Sequence, residues 1–322
     1  MLIYNANVVT WEKPNHIFND YAVYIQGNLI KEIGPSTELQ KKYHTEEKID
    51  ADGQLLMPGS ICAHTHFYGA YSRGMGIPGV PSKDFPENLE NLWFKLDRSL
   101  DEESTRLSAQ IFAIDAIKAG CTTLFDHHAS PEFIDGSLDV ISEVIDKSGL
   151  RASLCYEVTD RNGKNGTKAG IQENVRFLKE LKAGKNLGGR LAGAFGIHAC
   201  LTVDEETLEA CAAVIPDGFG FHIHLAESQE DEWDSLYRFG MRCGERLYRH
   251  HILGDRTIVA HAVHVDAREM ELLKETGTWI SHQPRSNMNN AVGAAQVESM
   301  LANGMKVCLG NDGFTFDMWS EW

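Results

Sequence analysis

The sequence predicts an α/β protein built around a (β/α)8 TIM-type barrel, with a small β-rich portion at its N-terminus. From Leu55 onward, eight short apolar runs alternate with longer segments of helical period, which is typical of a parallel barrel or a doubly wound sheet. The count of eight favours the closed barrel. The length of 322 residues suits one barrel of about 250 residues and a smaller appendage.

Residues 1–57 show a different pattern. Short β-like runs alternate there with Gly, Asn and Asp, as in LIYNANVVTW, DYAVYIQGNLIKEIG and KIDADGQLLMPG. We therefore expect a small antiparallel sheet over residues 1–57 and the barrel over residues 58–322.

The eight barrel strands are predicted within apolar runs that end in polar residues. These runs are LLMPGSICAHTH, TTLFDHH, LRASLCYEV, LAGAFGIHA, GFGFHIHLAE, TIVAHAVHV, TWISHQP and MKVCLGNDG. The predicted helices cover residues 101–119, 135–148, 171–183, 204–214, 227–248 with a break near 240–244, 267–275 and 294–303. No helix is predicted after the eighth strand, so we expect a barrel truncated at that point.

One connection is much longer than the others. Residues 67–100 separate the first strand from its helix and are rich in Gly and Pro. Long loops at the C-terminal end of a barrel strand are usually functional, so this segment is predicted to act as a lid. A structural excursion that packs on the barrel rim is the alternative.

Composition and charge exclude several classes of partner. The net charge is −16, with 46 acidic against 30 basic residues, which disfavours binding to a phosphate backbone. No apolar run approaches the roughly 20 residues that span a bilayer, and the N-terminus lacks a signal-peptide pattern. The seven cysteines are scattered and form no C-x-x-C pair, which suits a reducing compartment. We expect a cytoplasmic protein that binds neither nucleic acid nor a membrane.

Histidines collect at the ends of the predicted strands. Of 14 in the chain, eight lie there: His64, His66, His127, His198, His222, His224, His261 and His282. The C-terminal ends of barrel strands are where active sites are built. This placement indicates a metal or proton-transfer site.

Two H-x-H patterns carry the metal prediction. A period of two places His64 and His66 on one face of the first strand, and neutral imidazoles suit Zn²⁺ or Fe²⁺. An isolated H-x-H is more often a polar turn, but this one ends a predicted barrel strand. His222 and His224 repeat the pattern on strand five, and the spacing alone does not choose between them. Glu227 favours His224 as the ligand, because H-L-A-E places a carboxylate just beyond it, and His222 is then a packing or supporting residue.

Three further residues complete the predicted chemistry. Glu227 is predicted to relay protons, although an acid in a first helical turn is the structural alternative. Asp312 in LGNDG can be the last metal ligand or a base, whereas a lone Asp before Gly is usually a turn former. His261 ends strand six and is predicted to contact an ion-activated water.

At these residues the chain resembles the amidohydrolase superfamily over nearly its whole length. PGSICAHTH is similar to the family signature P-G-h-h-D-x-H-x-H, although it lacks the Asp of that signature. HLAE, AHAVH, SHQPRSN and LGNDG follow in the family's order at strands five to eight. The branch resembled is that of cytosine and guanine deaminases and chlorohydrolases. Within it, HTHFYGAYSRGM, LWFKLDRSL and SNMNNAVG are similar to the selenium-associated aminohydrolases.

The resemblance implies a role for each site residue. The implied metal ligands are His64, His66, His224 and Asp312. Glu227 would shuttle protons, His261 would orient the water, and His198 would contact the substrate. The predicted fourth strand contains no lysine, which favours one divalent ion, Zn²⁺ with Fe²⁺ as the alternative, over a pair bridged by a carboxylated lysine. Residues 1–57 would form part of a small β-sandwich.

The expected activity is that of a metal-dependent aminohydrolase. Water activated by the ion would attack an sp² carbon of an aminated heterocycle or a related C–N compound and release ammonia. Arg73, Trp93 and His127 join His198 as predicted contacts to this small-molecule substrate. A homodimer is the assembly that the resemblance implies. The alternatives are a non-deaminating hydrolase of cyclic amides or chlorinated compounds, and a non-catalytic degenerate barrel.

Overall fold

The computed structural model describes residues 1–76, 79 and 81–322. The chain divides into two units, Met1–Gly59 and Ser60–Trp322. This division lies close to the predicted boundary after residue 57.

The first unit is a five-stranded sheet with one helix. Its elements are β1 (Leu2–Val9), β2 (Ile17–Gln26), β3 (Leu29–Pro35), α1 (Ser36–Lys42), β4 (Lys48–Asp50) and β5 (Leu55–Leu56). Strands β1, β2 and β3 pair antiparallel as predicted, but β4 and β5 pair parallel to β1. The expectation of a wholly antiparallel sheet was therefore wrong. The reason is α1, which carries the chain back between β3 and β4 and so provides the crossover that a parallel pair requires.

The second unit is built from parallel strands. They are β6 (Ser60–Thr65), β7 (Cys121–His128), β8 (Arg151–Tyr156), β9 (Leu191–Gly193), β10 (Phe195–Ala199), β11 (Phe221–Leu225), β12 (Ile258–His261), β13 (Trp279–His282) and β14 (Lys306–Leu309). They pair in the orders β6-β7-β8-β9 and β10-β11-β12-β13-β14. Only Ala194 separates β9 from β10, so together these two form the fourth of eight barrel strands.

Backbone hydrogen bonds close both seams between these two sheets. Next to β8, Val158 N donates to Gly196 O, and His198 N donates to Val158 O. At the other seam, the backbone N–H groups of Asn311 and Asp312 both donate to His64 O. The predicted (β/α)8 barrel is confirmed.

Helices alternate with these strands. They are α2 (Phe85–Asn88), α3 (Phe94–Leu96), α4 (Glu102–Lys118), α5 (Ser137–Ser148), α6 (Gly163–Lys182), α7 (Glu205–Val214), α8 (Gln229–Phe239), α9 (Cys243–Arg249), α10 (Ala267–Thr276), α11 (Pro284–Asn289), α12 (Val297–Ala302) and α13 (Met318–Glu321). The predicted break near residues 240–244 is confirmed between α8 and α9. Two short helices, α11 and α13, were not expected, and α13 corrects the expectation that no helix follows strand eight.

Helix α6 begins eight residues earlier than the predicted start at residue 171. This N-terminal part of the helix contains Gly163, Gly166 and Gly170. Gly170 has a packing role, because a Cβ there would lie 3.1 Å from the ring of Tyr156 on β8. Glycine therefore lets the helix approach the strand closely, which a propensity argument does not reveal.

Most of the predicted lid, residues 67–100, is helical in short pieces. A 3-10 helix (Phe67–Ser72), α2, a π-helical turn (Leu89–Trp93), α3 and a second 3-10 turn (Asp97–Ser99) follow one another. Ile77, Pro78 and Val80 of this segment lie outside the described residues. Its role as a lid stays a prediction.

Strand alternation directs polar side chains inward. In β11, His222 and His224 alternate with Phe221, Ile223 and Leu225, which belong to the main apolar core cluster. Because successive side chains of a strand point to opposite faces, the two histidines face the barrel interior. Within the part of the chain that the structure describes, no helix is both long enough and apolar enough to cross a membrane.

Candidate metal and proton-transfer site

Four predicted ligands converge at the C-terminal mouth of the barrel. The Nε2 atoms of His64 and His66 each lie 3.1 Å from Asp312 Oδ1. His66 Nε2 also lies 3.1 Å from His224 Nε2. The donor atoms of His64, His66, His224 and Asp312 all lie within 4.8 Å of one another.

In His64, His66 and His224, the second ring nitrogen, Nδ1, has a polar partner on the side away from the ligand group. His66 Nδ1–H donates to His127 O at 2.6 Å, and His224 Nδ1–H donates to His198 O at 2.7 Å. His64 Nδ1 lies 2.9 Å from His222 Nε2. This contact agrees with the expected supporting role of His222. Such partners fix the tautomer and direct Nε2 towards an ion.

This arrangement fits a divalent metal ion. In neutral rings, in which Nδ1 of His66 and of His224 carries the donated proton, the Nε2 atoms present two lone pairs to each other at 3.1 Å. Burial lowers the pKa of His66, but the hydrogen bond to Asp312 and the charge of Asp312 outweigh burial and raise this pKa to about 9, so the point between these atoms favours positive charge. The carboxylate of Asp312 faces the same point. Lone pairs and a negative charge repel one another unless a cation lies between them. Three imidazole nitrogens and one carboxylate oxygen are a ligand set that divalent transition metals accept.

Two proton-transfer candidates lie beside this group. Glu227 Oε2 is 3.4 Å from His261 Nε2, which is itself 3.9 Å from Asp312 Oδ2. Burial, together with the negative charge of Asp312, raises the pKa of Glu227 well above its usual range. Burial lowers the pKa of His261. The raised pKa favours the protonated form of the Glu227 carboxyl group, and the lowered pKa favours the neutral form of the His261 imidazole.

Backbone conformation at the site is unusual. His261 has φ 72° and Asp312 has φ 51°, in the left-handed region that favours glycine. Ala226, next to Glu227, has φ 46°. Non-glycine residues are held in such conformations mainly at functional sites.

The segment after β13 supports two of these side chains, Asp312 and His261, which the sequence analysis did not foresee. Ser286 Oγ donates to Asp312 Oδ2 at 2.6 Å. His261 Nδ1–H donates to Asn287 Oδ1 at 2.9 Å. The motif SHQPRSN had been recognised as a family pattern, but nothing in its spacing assigned these contacts.

Two of the four predicted substrate contacts line a cavity above the ligands. Trp93 and His198 form part of its wall, with Tyr68 and Phe94. Glu227 and Asp312 also line it.

The structure does not bring His127 and Arg73 to that wall. His127 is fully buried, where Nε2–H faces the carbonyl oxygens of Ile197 and His222, each at 3.1 Å. Its Nδ1 lies 3.3 Å from Glu157 Oε2. Arg73 turns outward to Asp115 Oδ2 at 2.9 Å and stacks on Phe112. Strand period cannot reveal these buried and outward-facing contacts, and contact of either residue with substrate stays a prediction.

Comparison with known proteins identifies the family. The amidohydrolase family matches residues 55–322. The chain is 30% identical over 300 residues to 5-methylthioadenosine/S-adenosylhomocysteine deaminase 2 of Archaeoglobus fulgidus, covering 93% of this chain and 68% of that protein. The chain therefore spans about two thirds of the length of this relative.

Solved structures share the fold. Guanine deaminase from C. acetobutylicum with bound guanine aligns with a TM-score of 0.85 at 21% identity, over 99% of this chain and 76% of that one. An adenosine deaminase from Xanthomonas campestris with bound zinc aligns with a TM-score of 0.81 at 20% identity, over 99% and 71%.

These findings confirm the predicted class, a metal-dependent aminohydrolase that acts on carbon–nitrogen bonds and takes a small-molecule substrate. The finer resemblance to the selenium-associated subgroup stays a prediction. With its barrel, its His/Asp ligand set and a family match over residues 55–322, the chain belongs to the amidohydrolase family.

Proposed function

We propose that this chain is a zinc-dependent deaminase of an aminated purine, of the nucleoside type on which its curated relative is named to act. One observation carries the proposal: four ligand atoms converge beside Glu227 and His261, at the floor of a cavity walled by aromatic rings. The name of the relative, a deaminase of 5-methylthioadenosine and S-adenosylhomocysteine, supports the choice of purine.

The metal would be held by His64, His66, His224 and Asp312. Zinc is proposed because an aligned adenosine deaminase binds it and because three histidines with a carboxylate suit it, with Fe²⁺ as the alternative. When bound, such an ion supplies a Lewis acid that brings the pKa of water from about 15.7 to about 7.

Proton movement falls to three side chains. Asp312, besides being a ligand, is the carboxylate that would accept a proton from the attacking water. His261 would orient this water as an acceptor at Nε2, because its Nδ1–H is committed to Asn287 Oδ1. Glu227 would deliver a proton to a ring nitrogen of the substrate, in keeping with its raised pKa. The proton accepted by Asp312 would pass to the amino group, which leaves as ammonia when the C–N bond breaks, and the proton of the new hydroxyl group would return to Glu227 as the carbonyl forms.

The cavity wall would bind the purine. Trp93, Phe94 and Tyr68 provide aromatic surfaces on which a planar base can stack. His198 Nδ1 lies 2.6 Å from Thr202 Oγ1, which fixes the ring so that its other edge can meet the substrate. The rings would also exclude water that competes with the reacting molecule.

Ammonia release by the zinc-loaded protein tests the proposal. The panel comprises 5-methylthioadenosine, S-adenosylhomocysteine, adenosine, guanine and cytosine, and His64→Ala provides the control. We expect ammonia from an aminated purine with the wild type and none with His64→Ala, because the variant lacks one metal ligand.

If none of these compounds releases ammonia, and metal analysis shows that the protein contains its metal, the proposal is overturned. Consumption of a cyclic amide or a chlorinated heterocycle by the same sample would then establish the non-deaminating alternative, which shares the metal site. Identical ammonia release by His64→Ala would exclude the assigned site.

Three broader expectations are also proposals. We propose that residues 1–57 and 58–322 are separate domains, that the protein works in the cytoplasm, and that it forms a homodimer. All seven cysteines are free, which supports a reducing compartment. Light scattering during size-exclusion chromatography will measure the assembly.

A further inference from the structure

A chain of hydrogen bonds joins the two carboxyl groups of the site. Asn290, the C-cap of α11, places Nδ2 3.3 Å from Glu227 Oε1 and 3.3 Å from Ser286 Oγ. Ser286 Oγ in turn donates to Asp312 Oδ2 at 2.6 Å. Asn290 also lines the cavity. We call Ser286 and Asn290 the amide bridge.

In each hydrogen bond of the amide bridge, the donor and the acceptor are fixed. An ionised Asp312 accepts and cannot donate, so the single hydroxyl proton of Ser286 points to Asp312. Ser286 Oγ can therefore only accept from Asn290, which requires Nδ2 rather than Oδ1 at that position. Asn289 Nδ2 donates to Asn290 Oδ1 at 3.2 Å and favours the same orientation.

This direction has a consequence for Glu227. Its Oε1 receives an N–H from Asn290 and is thereby occupied as an acceptor. The other oxygen, Oε2, faces His261 Nε2 at 3.4 Å. The hydrogen bond from Asn290 thus makes the two oxygens of the Glu227 carboxyl group unequal.

We propose that Asn290 is a positioning residue, which fixes the carboxyl plane of Glu227 and reserves Oε2 for proton transfer. This inference rests on the proposed function of Glu227. Ser286 links Asn290 to Asp312. One short segment, residues 286–290, therefore orients both the proposed metal ligand Asp312 and the proposed proton carrier Glu227. Neither Asn290 nor Ser286 was assigned a role by the sequence analysis.

Asn290→Leu tests the proposal, because leucine is close to asparagine in size and lacks the amide. The matched control is Asn289→Leu, the adjacent residue, whose Nδ2 touches only Asn290 Oδ1 in this cluster. In a crystal structure of Asn290→Leu we expect the Glu227 carboxyl plane to rotate away from its wild-type position, while the four ligands stay in place. An unchanged Glu227 would overturn the proposal, whatever the substrate proves to be.

Kinetics give a second readout, measured on whichever compound the wild type hydrolyses. We expect Asn290→Leu to lower kcat about tenfold, the scale of one lost hydrogen bond, with KM and metal content close to wild type. In a Glu227→Gln background the same substitution should change kcat by less than about twofold, since it acts through Glu227. Asn289→Leu should change kcat by less than about twofold, because the hydrogen bond to Ser286 still fixes the direction of the Asn290 amide.

Two kinetic results would overturn the proposal. Losses that multiply in the double variant would show that Asn290 acts independently of Glu227. A raised KM with unchanged kcat would make Asn290 a substrate contact only. Failure of the proposed function is a separate result, because it would appear as a wild type without deaminase activity, while the crystal structure of Asn290→Leu would still decide the orientation.

Discussion

The chain contains the same three-residue pattern twice, and the structure uses the two copies differently. In His64-Thr65-His66 both rings place Nε2 beside Asp312. In His222-Ile223-His224 only His224 does so, while His222 lies behind His64 and meets its Nδ1 at 2.9 Å. Both copies point into the barrel, so the face of the strand does not explain the difference.

Depth along the barrel explains it. Residues two apart on a strand differ in height by about 6.6 Å, roughly one layer of side chains in a barrel interior. β6 ends at Thr65, so its pattern straddles the strand end, whereas both histidines of β11 lie within the strand. Spacing therefore fixes which side chains face inward, and the position of the strand end decides which of them reaches the ion.

Of the substitutions in and after the two H-x-H patterns, removal of the predicted ligand His224 on β11 should have the largest effect. His224→Ala deletes one of four donors, so we expect loss of bound metal, loss of detectable turnover, and no rise in melting temperature on addition of zinc. Metal analysis of the purified variant and thermal unfolding with and without zinc measure this. Stoichiometric metal in His224→Ala would show that the quartet is wrongly assigned.

Substitution of Glu227, three residues after His224, should cause a smaller loss of activity. Glu227→Gln keeps the shape of the side chain but removes its transferable proton, so we expect full metal content with kcat lowered by about 10² to 10⁴. Steady-state kinetics at saturating zinc give the value. Full activity in this variant would exclude Glu227 as the proton carrier.

The smallest effect is expected at the deeper histidine. His222→Leu removes the partner of His64 Nδ1 but leaves all four predicted ligands in place, so we expect metal affinity to fall by about 10 to 100-fold. His222→Gln keeps a polar partner at that position and should lose less. Competition with a chelator measures both affinities, and a His222→Leu affinity equal to that of the wild type would contradict the supporting role.

Much of the fold and of the site was open to prediction from sequence. Eight apolar runs gave the barrel, because each strand buries its residues and ends in polar ones. The ligand positions followed from the strand ends, since those ends converge at one mouth. His64, His66, His224 and Asp312 could therefore be grouped without knowing any side-chain direction.

Contacts that depend on rotamer and depth were not predictable. His127 and Arg73 lie near the mouth in sequence, yet one packs under the site and the other turns outward to Asp115. The early start of α6 was hidden because Gly170 serves a close approach to Tyr156 rather than a turn. Asn290 was missed for a similar reason, since its role depends on the direction of hydrogen bonds.

The left-handed backbone at His261 and Asp312 sets a limit on how this protein can be engineered. A non-glycine residue there costs of order 1 kcal/mol or more. Glycine at His261 would relieve that strain, but it would also leave a cavity in place of a fully buried ring and deprive Asn287 of its partner. Engineering for thermal stability should therefore leave both positions unchanged, because the strain cannot be removed separately from the side chain that it positions.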